Sequence, residues 1–249
     1  MTEWADHAMV VRMGRFREAD VWLKLLCRKR GLLTLFAFGA SRSKRRFCGC
    51  LDVLNTLLCQ VKAAKNGRFF NLQEAVLLTT PQALRKNWQR MALAANCLRF
   101  VEAFDISGDG AAEAFAIVEN LRHTLENSLY LPSLFPLFFR LRLAGALGFA
   151  PRLTSCAVCG DNVTNRALFA VDEGQIRCTR CKFEHPTRYG VEISGGGLAL
   201  LRHVQRVLPS AWLTEEPAAT ERRCCAKAID GFVQYHLGVA WQNGCFRRV

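Results

Sequence analysis

Residues 21–38 read VWLKLLCRKRGLLTLFAF. Two apolar runs rich in β-favouring residues, Val21–Cys27 and Leu32–Phe38, flank the basic turn Arg28-Lys29-Arg30-Gly31. Short runs of this kind bounded by turn residues read as strands. Working outward, Met9–Met13, Leu51–Val61 and Phe69–Leu78 repeat the pattern, separated by Gly14, by a basic stretch from Gly39 and by Asn66-Gly67. Asn-Gly between two such runs marks a hairpin, because both residues tolerate positive φ.

Five strands at this spacing predict a small barrel over residues 1–80. An OB-fold is the natural candidate, and the spacing also admits an SH3-like barrel. From Pro81, which suits a first helical position, the period changes. Leu84, Trp88, Met91, Ala95 and Leu98 recur at helical steps. Further helices are expected over Ala111–Leu129, with Ala114, Ile117, Leu121 and Leu125 on one face, and over Ser133–Leu147. Two more are expected near Leu198–Leu208 and Ala218–Leu237. The fold class is therefore α+β and multidomain: a β-barrel, then an α-helical domain over 81–249 that carries a cysteine-rich module at 152–190.

Within that module Cys156-Ala-Val-Cys159 and Cys178-Thr-Arg-Cys181 form two C-x2-C pairs with eighteen residues between them. Each pair offers two sulfurs from one tight knuckle, and two knuckles on a hairpin complete a tetrahedron for zinc. The intervening Ala167–Val171 and Gln175–Arg177 read as the two strands of that hairpin. Four thiolates leave no open position for an activated water, so the expected Zn2+ is structural. His185 is expected to be a surface histidine, and the other eight cysteines small buried hydrophobes.

The chain of 249 residues has 34 Lys and Arg against 21 Asp and Glu, a net +13. Eleven of the basic residues lie between Val10 and Arg46, opposed only by Glu18 and Asp20. They concentrate in Arg28, Lys29 and Arg30 and in Arg42, Lys44, Arg45 and Arg46, both between expected strands. Basic loops of this density point to phosphate contacts, whose affinity is salt-sensitive and blind to sequence. Phe36, Phe38, Phe69 and Phe70 would supply stacking platforms wherever they face outward. Later basic residues such as Arg85, Arg90, Arg177 and Arg180 are scattered.

Other classes are disfavoured. There is no Gly-Lys dipeptide for a phosphate-binding loop, no G-x-S-x-G, no H-x-E paired with C-x-x-C, and no nuclease-like carboxylate cluster. The expectation is no enzyme and no small-molecule substrate. The acidic residues and missing apolar core of MTEWADHAMV argue against a secretory signal, and no apolar run is long enough for a membrane span. With 51% hydrophobic residues a core is assured without disulfides. A zinc-containing protein-interaction adaptor with no direct DNA role is the alternative, and a zinc hydrolase with an atypical ligand set is a third reading.

The order and spacing of several segments resemble the RecO family of bacterial recombination mediators over nearly the whole chain. These are Arg17-Glu18-Ala19-Asp20, Arg30-Gly31, Phe38-Gly39-Ala40-Ser41-Arg42, Phe47-Cys48-Gly49-Cys50-Leu51, Leu147-Gly148-Phe149-Ala150-Pro151 leading into Cys156 and Cys159-Gly160, and Tyr235-His236-Leu237-Gly238. The sequence departs from the family at Arg45, where a small hydroxyl residue is expected, and at Asp172-Glu173-Gly174, where a glycine pair is common. The resemblance implies an N-terminal OB-fold and binding of single- and double-stranded DNA. It also implies annealing of complementary strands and help in loading recombinase in the RecF pathway of homologous recombination and DNA repair. RecR and the acidic C-terminal tail of single-strand-binding protein are the implied partners, and a cytoplasmic, nucleoid-associated place in the cell follows. Arg140 and Arg142, beside Phe138 and Phe139, are the expected rim of the pocket for that tail.

Overall fold

The computed structural model describes residues 3–43, 45–64 and 69–249. Lys44 and the Asn66-Gly67 hairpin therefore lie outside the described residues. The chain divides into two compact units, Met1–Ala94 with Phe104–Asn127, and Ala95–Ala103 with Ser128–Val249.

The first unit opens with five strands: β1 (Glu3–Arg15), β2 (Val21–Cys27), β3 (Gly31–Ala37), β4 (Thr56–Ala63) and β5 (Phe70–Thr79). They close in the order β1-β2-β3-β5-β4, with β4 pairing back onto β1. Only the β3–β5 pairing is parallel. Alternation sorts the side chains: Val21, Leu23, Leu25 and Cys27 of β2 point into the barrel with Leu35, Leu57, Val61 and Leu72. Full burial of each such side chain is worth about 1.5–3 kcal/mol against exposure.

Gly31 begins β3 at φ 76°, and a Cβ there would lie 1.8 Å from the carbonyl oxygen of Ile106. That close approach lets the Leu32 N–H donate to the same oxygen at 2.8 Å. It seats α3 (Gly110–Asn127), after α1 (Gln82–Arg85) and α2 (Trp88–Val101), against β2 and β3. The strands end near residue 80, as expected, but the first compact unit continues through α3, because that helix packs on the barrel.

Two expected elements are corrected. Leu51–Val61 is a strand only from Thr56. Before it the backbone turns, with Leu54 at φ 68° and Asn55 donating to the carbonyls of Gly49 and Cys50. The helix expected to run on from Pro81 breaks at Lys86–Asn87, where both amides fall back to carbonyls three residues earlier. The break shifts the helical phase. Ala94, Cys97, Leu98 and Val101 are buried, while Trp88, predicted on the core stripe, is 77% exposed. The stripe of α3, in contrast, is buried at Ala114, Ile117, Leu121 and Leu125 as expected.

The second unit contains α4 (Phe135–Ala146), then a four-stranded sheet of β6 (Arg152–Cys156), β7 (Ala167–Ala170), β8 (Gln175–Cys178) and β9 (Gly190–Ile193) in the order β6-β8-β7-β9. Helices α5 (Gly195–Arg206) and α6 (Ala219–Leu237) follow. After α6 comes a hairpin of β10 (Val239–Gln242) and β11 (Cys245–Arg248), for which no element was expected. Its turn, Asn243-Gly244, has φ 49° and 78°, the Asn-Gly signature overlooked in the sequence. No helix among the described residues is long and apolar enough to cross a membrane.

Candidate functional site

The two basic clusters lie at opposite ends of the β2–β3 hairpin. Arg28, Lys29 and Arg30 form its turn, beside the start of β1. There the Lys29 N–H donates to Asp6 at 2.9 Å and the Arg30 guanidinium sits 4.5 Å above the Trp4 ring. Seven-residue strands separate this turn from the other end by about 20 Å.

At that other end the β1–β2 loop and the segment after β3 are tied together. The Gly39 N–H donates to Asp20 at 2.8 Å, the Ser41 N–H to the Ala19 carbonyl at 3.0 Å, and Arg42 pairs with Glu18 at 3.1 Å. Both acidic residues of the basic stretch are thus engaged there. Arg42 and Arg45 are exposed, and Arg46 spans the Phe38 carbonyl at 2.7 Å and the Phe47 ring at 4.9 Å.

Four phenylalanines occupy the same end. Phe36 is the hub, with ring centroids 5.3 Å from Phe16, 6.3 Å from Phe38 and 5.6 Å from Phe69. Phe16, Phe38 and Phe69 are each about half exposed. Of the aromatics singled out in the sequence, Phe70 turns inward, packing on the core and on Trp4 at 6.3 Å. Phe16 was missed, because a lone phenylalanine between Arg15 and Arg17 carries no periodic signal.

Other basic residues are engaged in structure. Arg85 pairs with Asp52 at 2.9 Å and donates to Asn55 at 2.8 Å, holding the turn before β4. Arg90 donates to the Leu125 carbonyl at 3.0 Å, Arg177 pairs with Glu173, and Arg180 pairs with Asp161. Arg140, expected at a pocket rim, is nearly buried: it pairs with Asp230 at 2.7 Å, donates to Asn96 at 3.3 Å and covers the Phe246 ring. Phe138 and Phe139 are fully buried, and Arg142 is half-buried. The apolar wall that this rim needed is core, because the helical phase of α4 turns both rings inward.

In the second unit β7 and β8 pair antiparallel around the Val171–Gly174 turn, as the hairpin reading expects. They bring Cys156, Cys159, Cys178 and Cys181 together, with the four Sγ atoms within 4.8 Å of one another. A tetrahedron of zinc–sulfur bonds of about 2.3 Å places sulfurs about 3.8 Å apart, and Cys159 and Cys178 stand at 3.9 Å. The Cys178 N–H points at the Cys156 sulfur at 3.4 Å. Burial pushes the Cys156 thiol up, yet hydrogen bonds from the backbone at Cys159, Cys178 and Val158 outweigh it and bring it down to about 6. Amides aimed at a sulfur favour thiolate, the form a metal needs. The Cys181 thiol, hydrogen-bonded to Cys178 and desolvated by burial, is pushed up to about 12. His185 is exposed and outside the cluster.

Two family models tile the chain: Recombination protein O N terminal over residues 1–81 and Recombination protein O C terminal over residues 85–243. The chain belongs to the RecO family. Among its relatives, the DNA repair protein RecO of Nitratidesulfovibrio vulgaris (strain Hildenborough) is 46% identical over 252 residues, 99% of this chain and 100% of the relative. That of Lawsonia intracellularis is 40% identical over the same shares. The Myxococcus xanthus relative is 27% identical over 96% of this chain and 94% of its own length. The general role that membership carries is DNA repair.

Proposed function

We propose that this RecO-family chain is a non-enzymatic DNA-repair mediator whose barrel binds single- and double-stranded DNA through phosphate contacts. One observation carries the reading: Arg28, Lys29, Arg30, Arg42 and Arg45 are all exposed on barrel loops, whereas Arg90 and Arg177 are drawn into structural bonds, to the Leu125 carbonyl and to Glu173. The strand order β1-β2-β3-β5-β4 supports an OB-fold, whose second and third strands and flanking loops serve oligonucleotides in other proteins. A positive surface that screens two polyanions from one another favours annealing of complementary strands, and through it the loading of recombinase. RecR and the acidic tail of single-strand-binding protein remain the proposed partners.

Cys156, Cys159, Cys178 and Cys181 would hold a zinc ion with no open position. Its contribution is to close the β7–β8 hairpin and its flanking knuckles into one unit.

Titration of fluorescent single-stranded DNA at several salt concentrations tests the reading. The logarithm of the affinity should fall steeply and linearly with the logarithm of salt concentration. Flat salt dependence or no binding would leave the adaptor reading in its place. Assays with ATP and labelled DNA should return no turnover; activity abolished by one point substitution would refute the non-enzymatic assignment.

A further inference from the structure

We infer that Phe16, Phe36, Phe38 and Phe69 form a base-stacking subsite that lets the barrel distinguish an unpaired strand from a duplex. The inference rests on the reading of the barrel as a nucleic-acid binder and adds what the arginines alone do not provide.

The cluster is not spare core. The barrel interior closes on Leu23, Leu25, Leu35, Leu57, Val61 and Leu72 without it. Phe36 faces outward because its neighbours Leu35 and Ala37 face in. Its partner across the ladder is Trp22 of β2. Trp22 in turn lies across Gly14 of β1, where a Cβ would come within 2.6 Å of the indole nitrogen. The absence of that side chain lets the indole lie against the sheet, extending the aromatic surface from Phe36 toward β1. At the hairpin's other end the outer face is covered: Leu26 is fully buried where α3 packs on β2 and β3. The open aromatic surface is thus confined to the end that also carries Arg42, Arg45 and Arg46.

Charge decides the occupant. The Arg17 guanidinium lies 5.3 Å over Phe16, Arg12 lies 5.6 Å over Trp22, and Arg46 donates to the Phe38 carbonyl. An apolar protein segment would have to desolvate these guanidinium groups without replacing their hydration. A single-stranded nucleic acid brings the complementary chemistry, one phosphate for the arginines and one planar π-face for the rings in each nucleotide. A duplex keeps its bases paired and stacked, so it can use the arginines but not the rings.

The test uses the full-length protein and the variant Phe16→Leu/Phe38→Leu/Phe69→Leu, which keeps apolar bulk and removes the π-faces. Phe36, being half-buried, is left in place. Kd is measured for an oligothymidylate, for a duplex of equal length and for an abasic strand of equal length at one salt concentration. The variant should bind oligothymidylate about tenfold or more weakly, since stacking is worth roughly 1–3 kcal/mol per base. Duplex affinity should change less than about twofold, and the salt slope should hold, because the phosphate contacts remain. Wild type should bind the abasic strand as weakly as the variant binds oligothymidylate, a result that does not depend on the variant folding. Equal affinity of wild type for the abasic and normal strands would overturn the inference, as would equal losses on duplex and single strand. Loss of acidic-peptide binding with DNA binding intact would also overturn it and give the surface to a protein partner. Wild type that binds no nucleic acid at all refutes the functional reading itself, a separate outcome.

Discussion

The barrel and the four-cysteine module are both small β-structures, and they are held by different forces. The barrel has strands of seven to thirteen residues and a continuous apolar interior. The module has strands of four or five residues, and β6 meets β8 at only two register positions, Arg152 with Gln175 and Cys156 with Ile176. It leans instead on directed bonds: Arg202 of α5 donates to the carbonyls of Leu153, Thr154 and Val163, and His236 of α6 contacts the Val171 carbonyl at 2.7 Å. Under the zinc reading proposed above, a metal on the four convergent thiols would add a further hold on this short sheet. Burial is delocalised and tolerates small changes, whereas a metal site is lost with a single ligand.

The largest effect should come from the module. Cys178→Ser is expected to remove one zinc per chain and to raise amide exchange across residues 152–190, with a loss of several kcal/mol in local stability. The β1–β5 amides, which contribute no ligand, should exchange as before. Purified protein that carries no zinc and whose four thiols react freely in the native state would erase the contrast with the barrel.

The barrel should yield next to a cavity. Leu23→Ala is expected to cost about 2–5 kcal/mol, read as a lower denaturation midpoint for the barrel with an unchanged denaturant slope. A cost well under that range would mean that directed bonds, as in the module, carry the barrel too.

A smaller effect separates the barrel's two ends. Replacing Arg42, Lys44, Arg45 and Arg46 together with Gln should lower the magnitude of the log–log salt slope by about 0.7 per lost contact on single strands and 0.9 on duplex. Annealing should fall with it, after circular dichroism has shown the variant to be folded. Replacing Arg28, Lys29 and Arg30 should lower the slope similarly per contact. Affinity for single strands should fall less, since among the described residues the aromatics near that turn, Trp4 and Phe70, are half-buried and pack on the core. Equal losses in single-strand affinity per charge at the two ends would dissolve the distinction between them, and an unchanged slope in both variants would move DNA binding off the barrel.

Much of this was legible in advance, for reasons that differ by element. Val21–Cys27 is a strand to the residue, since a short apolar run between charged turns has few alternatives. The four cysteines converge as their spacing requires. The helix after Pro81 was misjudged because the break at Lys86–Asn87 has no Gly or Pro to announce it. Arg85 is held there by Asp52 and Asn55, and Glu126 accepts the amide hydrogens of Ala83 and Leu84 at 2.8 and 2.6 Å, all distant in sequence. The first part of Leu51–Val61 looked extended because nothing local reveals that Asn55 is needed by the carbonyls of Gly49 and Cys50.

Local sequence by itself therefore determined that β2, β3, β5, β7 and β8 are strands, where the positive charge concentrates and which sulfurs can share an ion, because these depend on composition and short-range spacing. Only the tertiary structure decided which phenylalanines face water. For Phe69 and Phe70 the choice follows from the closing parallel pair of β3 with β5, Leu35 to Phe70 and Phe36 to Asn71. That pairing joins residues thirty-five apart, sets Phe69 beside Phe36 and turns Phe70 toward the core. A pairing at such separation is selected by the burial of the whole barrel, and no window of sequence around either phenylalanine contains it.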